Sequence, residues 1–286
     1  MSNKIGIGVV TYNRVDFFKQ CINTIPDGVG TLVVINDGTP YSSDAYPSKI
    51  KEVIQHTTNK CVGVSKNEAL RYLKQDGCEH LFLVEDDMLI KRPDVFETYI
   101  KAASKSGIWH MNYGPGSPLN RVQDPEILKL DLAGRDKWDK HSPINPRCII
   151  DYGDGVQIAL YKHTVAMFSY FLKGVITNCG YFDERFQNAW EHVEHTYRII
   201  KAGLHPPFWN FADIYDSTEY LQEIEGAIEN SSITKDDAKW KRNIQSGAEL
   251  YQYLHGHYPA QVKDATPEEV QEVLRHIKTN YARDLV

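Results

Sequence analysis

The chain has 286 residues, 42% of them hydrophobic and 24% charged, with 32 Lys and Arg against 38 Asp and Glu for a formal net charge of −6. This is ordinary globular composition on a chain long enough for a large core, and its net acidity argues against a surface built to lie on bare phosphate backbone, while leaving room for a local basic groove. Cys21, Cys61, Cys78, Cys148 and Cys179 are odd in number and form no CxxC pair, so neither a disulfide framework nor a zinc knuckle is indicated. The N-terminus runs directly into a strand-like segment, and no apolar stretch reaches the roughly 18 residues that a membrane span needs. The expectation is a cytoplasmic protein with no integral membrane segment.

In chain order, Lys4 to Thr11 (KIGIGVVT) reads as a strand that turns at Tyr12, Asn13 and Arg14. Asp16 is placed to cap a helix carrying Phe17, Phe18, Cys21, Ile22 and Ile25, which Pro26 and Gly28 end. A second strand, Thr31 to Ile35, leads into the turn Asn36, Asp37, Gly38, and a third is expected around Val53 to His56. Ser65, with Glu68 three residues on, predicts a capping box for a helix through about Lys74. Pro93 and Asp94 open another helix to about Ala103, and Ile108 to Met111 reads as a strand. Strands alternating with helices predict an α/β fold with a mostly parallel central sheet.

The stretch LFLVEDDMLI, Leu81 to Ile90, sits at the centre of this pattern. Four apolar residues in a row suit a strand buried on both faces, and Glu85, Asp86 and Asp87 then project from its carboxyl end, where open α/β sheets bind ligands. Adjacent carboxylates repel, so such a cluster persists most cheaply when a divalent cation sits on it. An acidic strand-to-loop turn without a ligand is the plain alternative. Asp37 ends a neighbouring strand on the same edge, and the pair of features suits a nucleotide: hydrogen bonds to base or ribose from one, metal on the diphosphate from the other. No GxGxxG follows the first strand and no GxxxxGK[ST] occurs, so phosphate charge must be handled otherwise.

Four motifs, VVTYNR (Val9 to Arg14), VVINDGT (Val33 to Thr39), NKCVGVSKNEAL (Asn59 to Leu70) and LFLVEDD (Leu81 to Asp87), together resemble the nucleotide-sugar-binding half of GT-A fold glycosyltransferases, particularly the inverting family 2. The acidic triplet also resembles the EDD site of GT-A N-acetylglucosaminyltransferases. The resemblance implies a Rossmann-like GT-A sheet flanked by helices, with 1–112 as the nucleotide-sugar half, 113–216 as the acceptor half and 217–286 as a C-terminal helical extension. It places Thr11, Asn13, Asp37 and Lys66 near the nucleoside, Asn67 at a helix start beside it, Glu85 and Asp87 on Mn2+ or Mg2+, and Asp86 against the donor nucleotide. A UDP-linked donor is implied.

Residues 112–150 are too rich in Gly and Pro for regular elements and read as an acceptor-side loop, with Trp138 either a sugar-stacking platform or a residue that packs down. Val156 to Leu160 reads as a strand and the apolar segment beyond Thr164 as a helix. The run Gly180 to Phe186 resembles the GGFDE segment of the same family, and WEHVEHTYRIIKAG, Trp190 to Gly203, its helix of catalytic acids. Glu191 matches the family's glutamate, Arg198 its arginine, and His192 stands where its aspartate base is expected. Histidine remains a competent base at neutral pH. The role is therefore divided between Glu191 and His192, with His192 read as base and Glu191 as ligand of the acceptor hydroxyl. The pattern satisfies neither HExxH nor HxxEH, which excludes a zincin reading. Phe208 to Phe211 resembles the returning strand, and Asp213, Asp216, His255 and His257 are the candidates for a third metal ligand. From Ser217 onward the pattern is helical and polar, with Lys235, Lys239, Trp240 and Arg242 either closing over a diphosphate or forming a solvated face.

The expected activity is metal-dependent inverting transfer of a sugar from a nucleotide-sugar donor to a hydroxyl of a glycan, another polymer or a modified nucleic-acid base. Nucleotidyl transfer and an inactive nucleotide-sugar-binding module are the rival readings.

Overall fold

The structure, a computed structural model, describes residues 4–130, 137–207, 211–227, 229–233, 235–259 and 265–281. Its central sheet begins with β1 (Ile5–Thr11), β2 (Thr31–Asn36), β3 (Glu52–Gln55) and β4 (His80–Glu85), separated by α1 (Val15–Thr24) and α2 (Val62–Gln75). These four strands are parallel in the order β3-β2-β1-β4. Every residue of β1 and β2 is buried, as continuous apolar runs in a two-sided sheet require. Gly6 and Gly8 let α2 approach: a Cβ on Gly8 would lie 2.6 Å from Ala69 Cβ, and one on Gly6 2.8 Å from Cys78 Sγ. All five cysteines are free, with Cys21 and Cys78 buried.

After β4 the chain forms β5 (Met88–Ile90), α3 (Val95–Ser106) and β6 (His110–Asn112). The 112–150 region is mostly irregular but contains the single-turn α4 (Pro125–Leu128) and ends in β7 (Cys148–Asp151). β8 (Gln157–Tyr161), β9 (Phe168–Leu172) and α5 (Lys173–Cys179) follow, then α6 (Glu191–Lys201), β10 (Phe211–Ile214) and β11 (Leu221–Glu223). Two long helices, α7 (Asp237–His255) and α8 (Pro267–Tyr281), close the fold. β9 enters the main sheet antiparallel between β4 and β6; β10, β8 and β7 make a second, antiparallel sheet; β11 pairs with β5.

Several sequence expectations change here. The apolar segment beyond Thr164 becomes the strand β9 before any helix, because an unbroken run such as FSYFL has no periodicity to separate a buried strand from a buried helix. Asp16 lies in the first turn of α1, whose N-cap is Arg14, and α2 begins three residues before Ser65. Ser65 Oγ bonds back to Cys61 O at 3.2 Å, while Glu68 turns to His56 and Lys60, so the expected capping box does not form. β11 is a strand within the stretch read as helical. The returning strand is β10, and residues 208–210 of the expectation lie outside the described set. Among the described residues, no helix is long and apolar enough to cross a membrane.

The C-terminal helices join the body of the protein. Val270, Leu274 and Ile277 of α8 enter the main core. α7 seats Trp190: the indole N–H donates to Ile244 O at 3.0 Å, and a Cβ on Gly247 would lie 2.7 Å from Trp190 Cδ1.

Behind α6, His110, His195 and His205 are buried together, with the His110 ring 5.8 Å from that of His205 and 6.4 Å from that of His195. His195 Nδ1 and His205 Nε2 have no hydrogen-bond partner among the described residues. Burial pushes His195 down to about 3 and His205 to about 4. Both are neutral in the folded protein but protonate near 6.5 when unfolded, so their contribution to stability is full above about pH 6.5 and is lost as pH falls toward 4. The melting temperature should fall steeply across that window, and His205→Phe should flatten the fall. An unchanged pH slope in a folded His205→Phe protein would contradict this.

Candidate active site

The carboxyl ends of β1, β2 and β4 lie abreast. Thr11 is in register with Asn36, and Val10 with Glu85; past the strand ends the ladder continues through Asp37 N to Thr11 O (3.0 Å) and Asp86 N to Val10 O (3.2 Å). This brings Thr11, Asp37 and the acidic triplet to one edge. Asn13, at φ 55°, accepts from Thr39 N at 2.8 Å, and a Cβ on Gly38 would collide with its side chain, so the turns after β1 and β2 interlock. Asn13 thus reaches the expected edge with its carbonyl oxygen already engaged.

The three acids divide between two cations. Arg14 ion-pairs with Asp86 and, at 3.1 Å, with Asp87 Oδ2. Tyr41 OH accepts from Arg14 N (3.0 Å) and lies 2.7 Å from Thr11 Oγ, which donates to Asp86 Oδ2 at 2.6 Å. Asp86 is thereby anchored on both oxygens. Asp87 is held by Arg14 alone: its Oδ1 is buried and has no partner among the described residues. Burial, and then repulsion from Glu85, push Asp87 up to about 7 against the pull of Arg14. Arg14 has little place in the sequence reading; a lone cation following β1, on the edge that receives three acids, was the available signal.

Lys66 is 1% exposed on the stripe of α2 that also carries Ala69, Leu70 and Leu73. Its Nζ sits 2.8 Å from Glu85 Oε1 and 3.5 Å from Glu191 Oε1, ion-pair distances without the angles of a good hydrogen bond. Burial opposes its charge, but Glu85 and then Glu191 outweigh it, so the lysine stays cationic. Glu191 opens α6 after Trp190, which adopts φ 68°. Burial would raise Glu191, yet His192 and Lys66 hold it down at about 2. His192 Nδ1 lies 3.2 Å from Glu191 Oε1, and Nε2 3.2 Å from Thr164 O. The result is a row of alternating charge, Glu85 to Lys66 to Glu191, that ends against the His192 ring.

Asn67 does not reach this centre. It lies in the second turn of α2 rather than at its start, and its amide is consumed by Phe182 O, Phe182 N and Glu184 Oε1, each at 2.9 Å. It clamps the 182–184 segment. Arg198 fixes the preceding turn through the carbonyls of Cys179 and Tyr181. Trp138 is half-buried with its indole N–H enclosed, and Lys235, Lys239 and Arg242 are exposed.

Three of the four candidates for a third metal ligand, Asp213, His255 and His257, are engaged elsewhere. Asp213 accepts from Tyr99 OH (2.5 Å), Ile214 N (2.8 Å) and Gly114 N (2.9 Å), with burial raising it to about 7. Asp216 occupies a left-handed turn. His255 contacts Glu194, and His257 contacts Tyr197 and Tyr258. Among the described residues, no group of three or more His, Cys, Asp or Glu is arranged to hold a metal. What the site offers is the free Asp87 Oδ1 with Glu85 two residues before it. That fits a hard cation of the Mg2+ type, which is commonly bound by one or two carboxylates with the remaining positions filled by substrate phosphates and water.

No protein-family model matches the chain, and no curated protein matches it. Among solved structures, the mannosyltransferase PcManGT from Pyrobaculum calidifontis, in complex with GDP-Man and Mn2+, aligns at a TM-score of 0.52 and 13% identity over 98% of this chain and 69% of its own. TarS from S. aureus aligns at 0.49 and 16% identity over 96% of this chain, which spans 42% of the TarS chain. TarS 1-349 in complex with UDP-GlcNAc gives 0.49 and 14% identity over 96% and 71%. The likeness to the mannosyltransferase is one of fold: a mostly parallel, GT-A-type α/β sheet flanked by helices.

Removing one partner of a buried ion pair leaves uncompensated charge. Lys66→Met strands Glu85 and Glu191 together and should cost about 3 kcal/mol of unfolding free energy, measured by urea denaturation. A loss below about 0.5 kcal/mol, the range of ordinary surface changes, would contradict the charge chain.

Proposed function

We propose that the protein is a metal-dependent inverting glycosyltransferase that moves a sugar from a nucleoside-diphosphate donor, UDP-linked by family expectation, to an acceptor hydroxyl. One observation carries the reading: a buried, unpartnered carboxylate oxygen on Asp87, at the carboxyl edge of a GT-A-type sheet and two residues after Glu85, which Lys66 joins to the Glu191–His192 pair. A repelled and half-satisfied carboxylate is costly for folding and useful for holding a cation and its phosphates.

Asp37 and Thr11 line, with Glu85, Asp86, Asn188 and Ile233, a small cleft of about 70 Å3 that is read as the donor side. A cavity of about 760 Å3 lined by Tyr113, Arg121, Lys140 and Glu223 offers acceptor space. Its wall is fastened to the site, since Ile224 N donates to Asp87 O at 2.7 Å.

The acceptor oxygen attacks the anomeric carbon from the face opposite the diphosphate. The bond from that carbon to the phosphate oxygen breaks, its electrons stay on the leaving diphosphate, and configuration inverts. A cation at Asp87 and Glu85 would supply charge neutralisation on that diphosphate. Lys66 fixes Glu85 and Glu191. His192 is read as the base, with Glu191 beside Lys66 orienting its Nδ1–H and Nε2 leaving Thr164 O to receive the acceptor's proton.

Product analysis with nucleotide sugars and Mn2+ separates this from nucleotidyl transfer: free nucleoside diphosphate against pyrophosphate. Asp87→Ala should lower transfer by about 100-fold or more while leaving the melting temperature unchanged or raised, because a repelled charge is removed. His192→Ala should lower the rate by about 10² to 10⁴. Wild-type turnover in the Asp87→Ala protein, or losses under tenfold at both Glu191 and His192, would contradict the assignment.

A further inference from the structure

The end of β3 and one face of α2 hold a second charge cluster, centred on buried His56, whose His56 and Glu68 the mechanism does not use. His56 is 4% exposed at the sheet edge. Its Nδ1 lies 2.5 Å from Asp37 Oδ1 and its Nε2 2.6 Å from Glu68 Oε2, so each ring nitrogen faces a carboxylate. Asp37 also accepts from Lys60 N (2.7 Å, Oδ1) and Asn59 Nδ2 (3.0 Å, Oδ2), and Lys60 Nζ lies 3.2 Å from Glu68 Oε1. Three donors on a carboxylate with about four acceptor positions leave one open, on Oδ2. Asp37 lines the same cleft as Thr11, Arg14 and Asp86.

We infer that His56, braced by Glu68 on α2, is a positioning residue that fixes the Asp37 carboxylate as an acceptor aimed into the donor cleft, where it reads a ring N–H of the nucleobase. This rests on the donor-site reading above, which already places Asp37 at the nucleoside, and adds the residue that sets the plane of its carboxylate. A carboxylate fixed by three donors presents only an acceptor. It therefore selects a base whose ring nitrogen carries a proton, the shared chemistry of uracil and guanine, and rejects the bare ring acceptors of adenine and cytosine. Without His56, Asp37 keeps its Asn59 and Lys60 contacts but loses the bond that sets its plane.

The test is calorimetric binding of UDP, GDP, ADP and CDP with Mn2+ to wild type, His56→Ala, His56→Asn and Glu68→Ala, with melting curves for folding and donor KM and kcat measured separately. Wild type should prefer UDP or GDP, and which of the two distinguishes the uracil from the guanine source. His56→Ala should weaken that binding about tenfold or more and narrow the preference over ADP and CDP, with KM raised and kcat at saturating donor little changed. His56→Asn, which restores a donor toward Asp37, should recover most of the affinity. A folded His56→Ala protein with wild-type affinity and preference overturns the inference while leaving the donor site standing. If His56→Ala does not fold, Glu68→Ala at the partly exposed end decides: weaker, less selective binding supports the inference and unchanged binding overturns it. Wild type binding none of the four overturns the donor-site reading, and this inference with it.

Discussion

Three consecutive carboxylates at the end of a buried strand can be folded only if something positive meets them, and two cations do so from different elements. Arg14 arrives from the turn after β1 and takes Asp86 and one oxygen of Asp87; Lys66 arrives from the buried face of α2 and takes Glu85. The compensation is incomplete by one carboxylate oxygen. That shortfall, with burial and repulsion lifting Asp87 to about 7, is where stability and function part. Local strain and unsatisfied charge concentrate at working sites because the surrounding structure over-determines them.

Much of the remaining architecture serves the placement of those two cations and of α6. Gly6 and Gly8 draw α2 onto β1 and so bring Lys66 within reach of Glu85. Asn67, one residue on, ties the same helix to the 182–184 segment that leads into α6. Asn188 Oδ1 accepts from Val62 N at 3.0 Å, which joins the first turn of α2 to the approach of α6. α7 then holds Trp190 in its left-handed conformation from behind. α7 is thus part of how Glu191 and His192 are aimed.

The parallel half of the fold was legible because each strand is a continuous apolar run followed by turn residues, and the triplet because acids directly after such a run have no structural use. Thr11, Asp37, Glu85 and Asp86 line one cleft, and Lys66 joins Glu85 to Glu191 beside His192. What the sequence hid is whatever depends on partners brought by the fold. β9 reads equally well as a buried helix, and β11 is three residues, two of them polar, that become a strand only because β5 offers an edge. Ser65 and Glu68 have the spacing of a cap, but Glu68 does better against buried His56. Arg14 and His56 are single residues whose meaning is the carboxylate opposite them. Asp213 and Asp216 are candidate ligands by their place after Gly203, and His255 and His257 only if the tail folds back; tertiary hydrogen bonds claim Asp213, His255 and His257.

The most direct measurement is a crystal structure of the protein grown with UDP or GDP and Mn2+, with the anomalous signal of manganese located. A peak within about 2.0–2.3 Å of an Asp87 oxygen, bridged to the diphosphate, with Arg14 still on Asp86, is the predicted result. Nucleotide bound in the cleft with no manganese peak at Asp87, and its Oδ1 still unpartnered, would contradict the account.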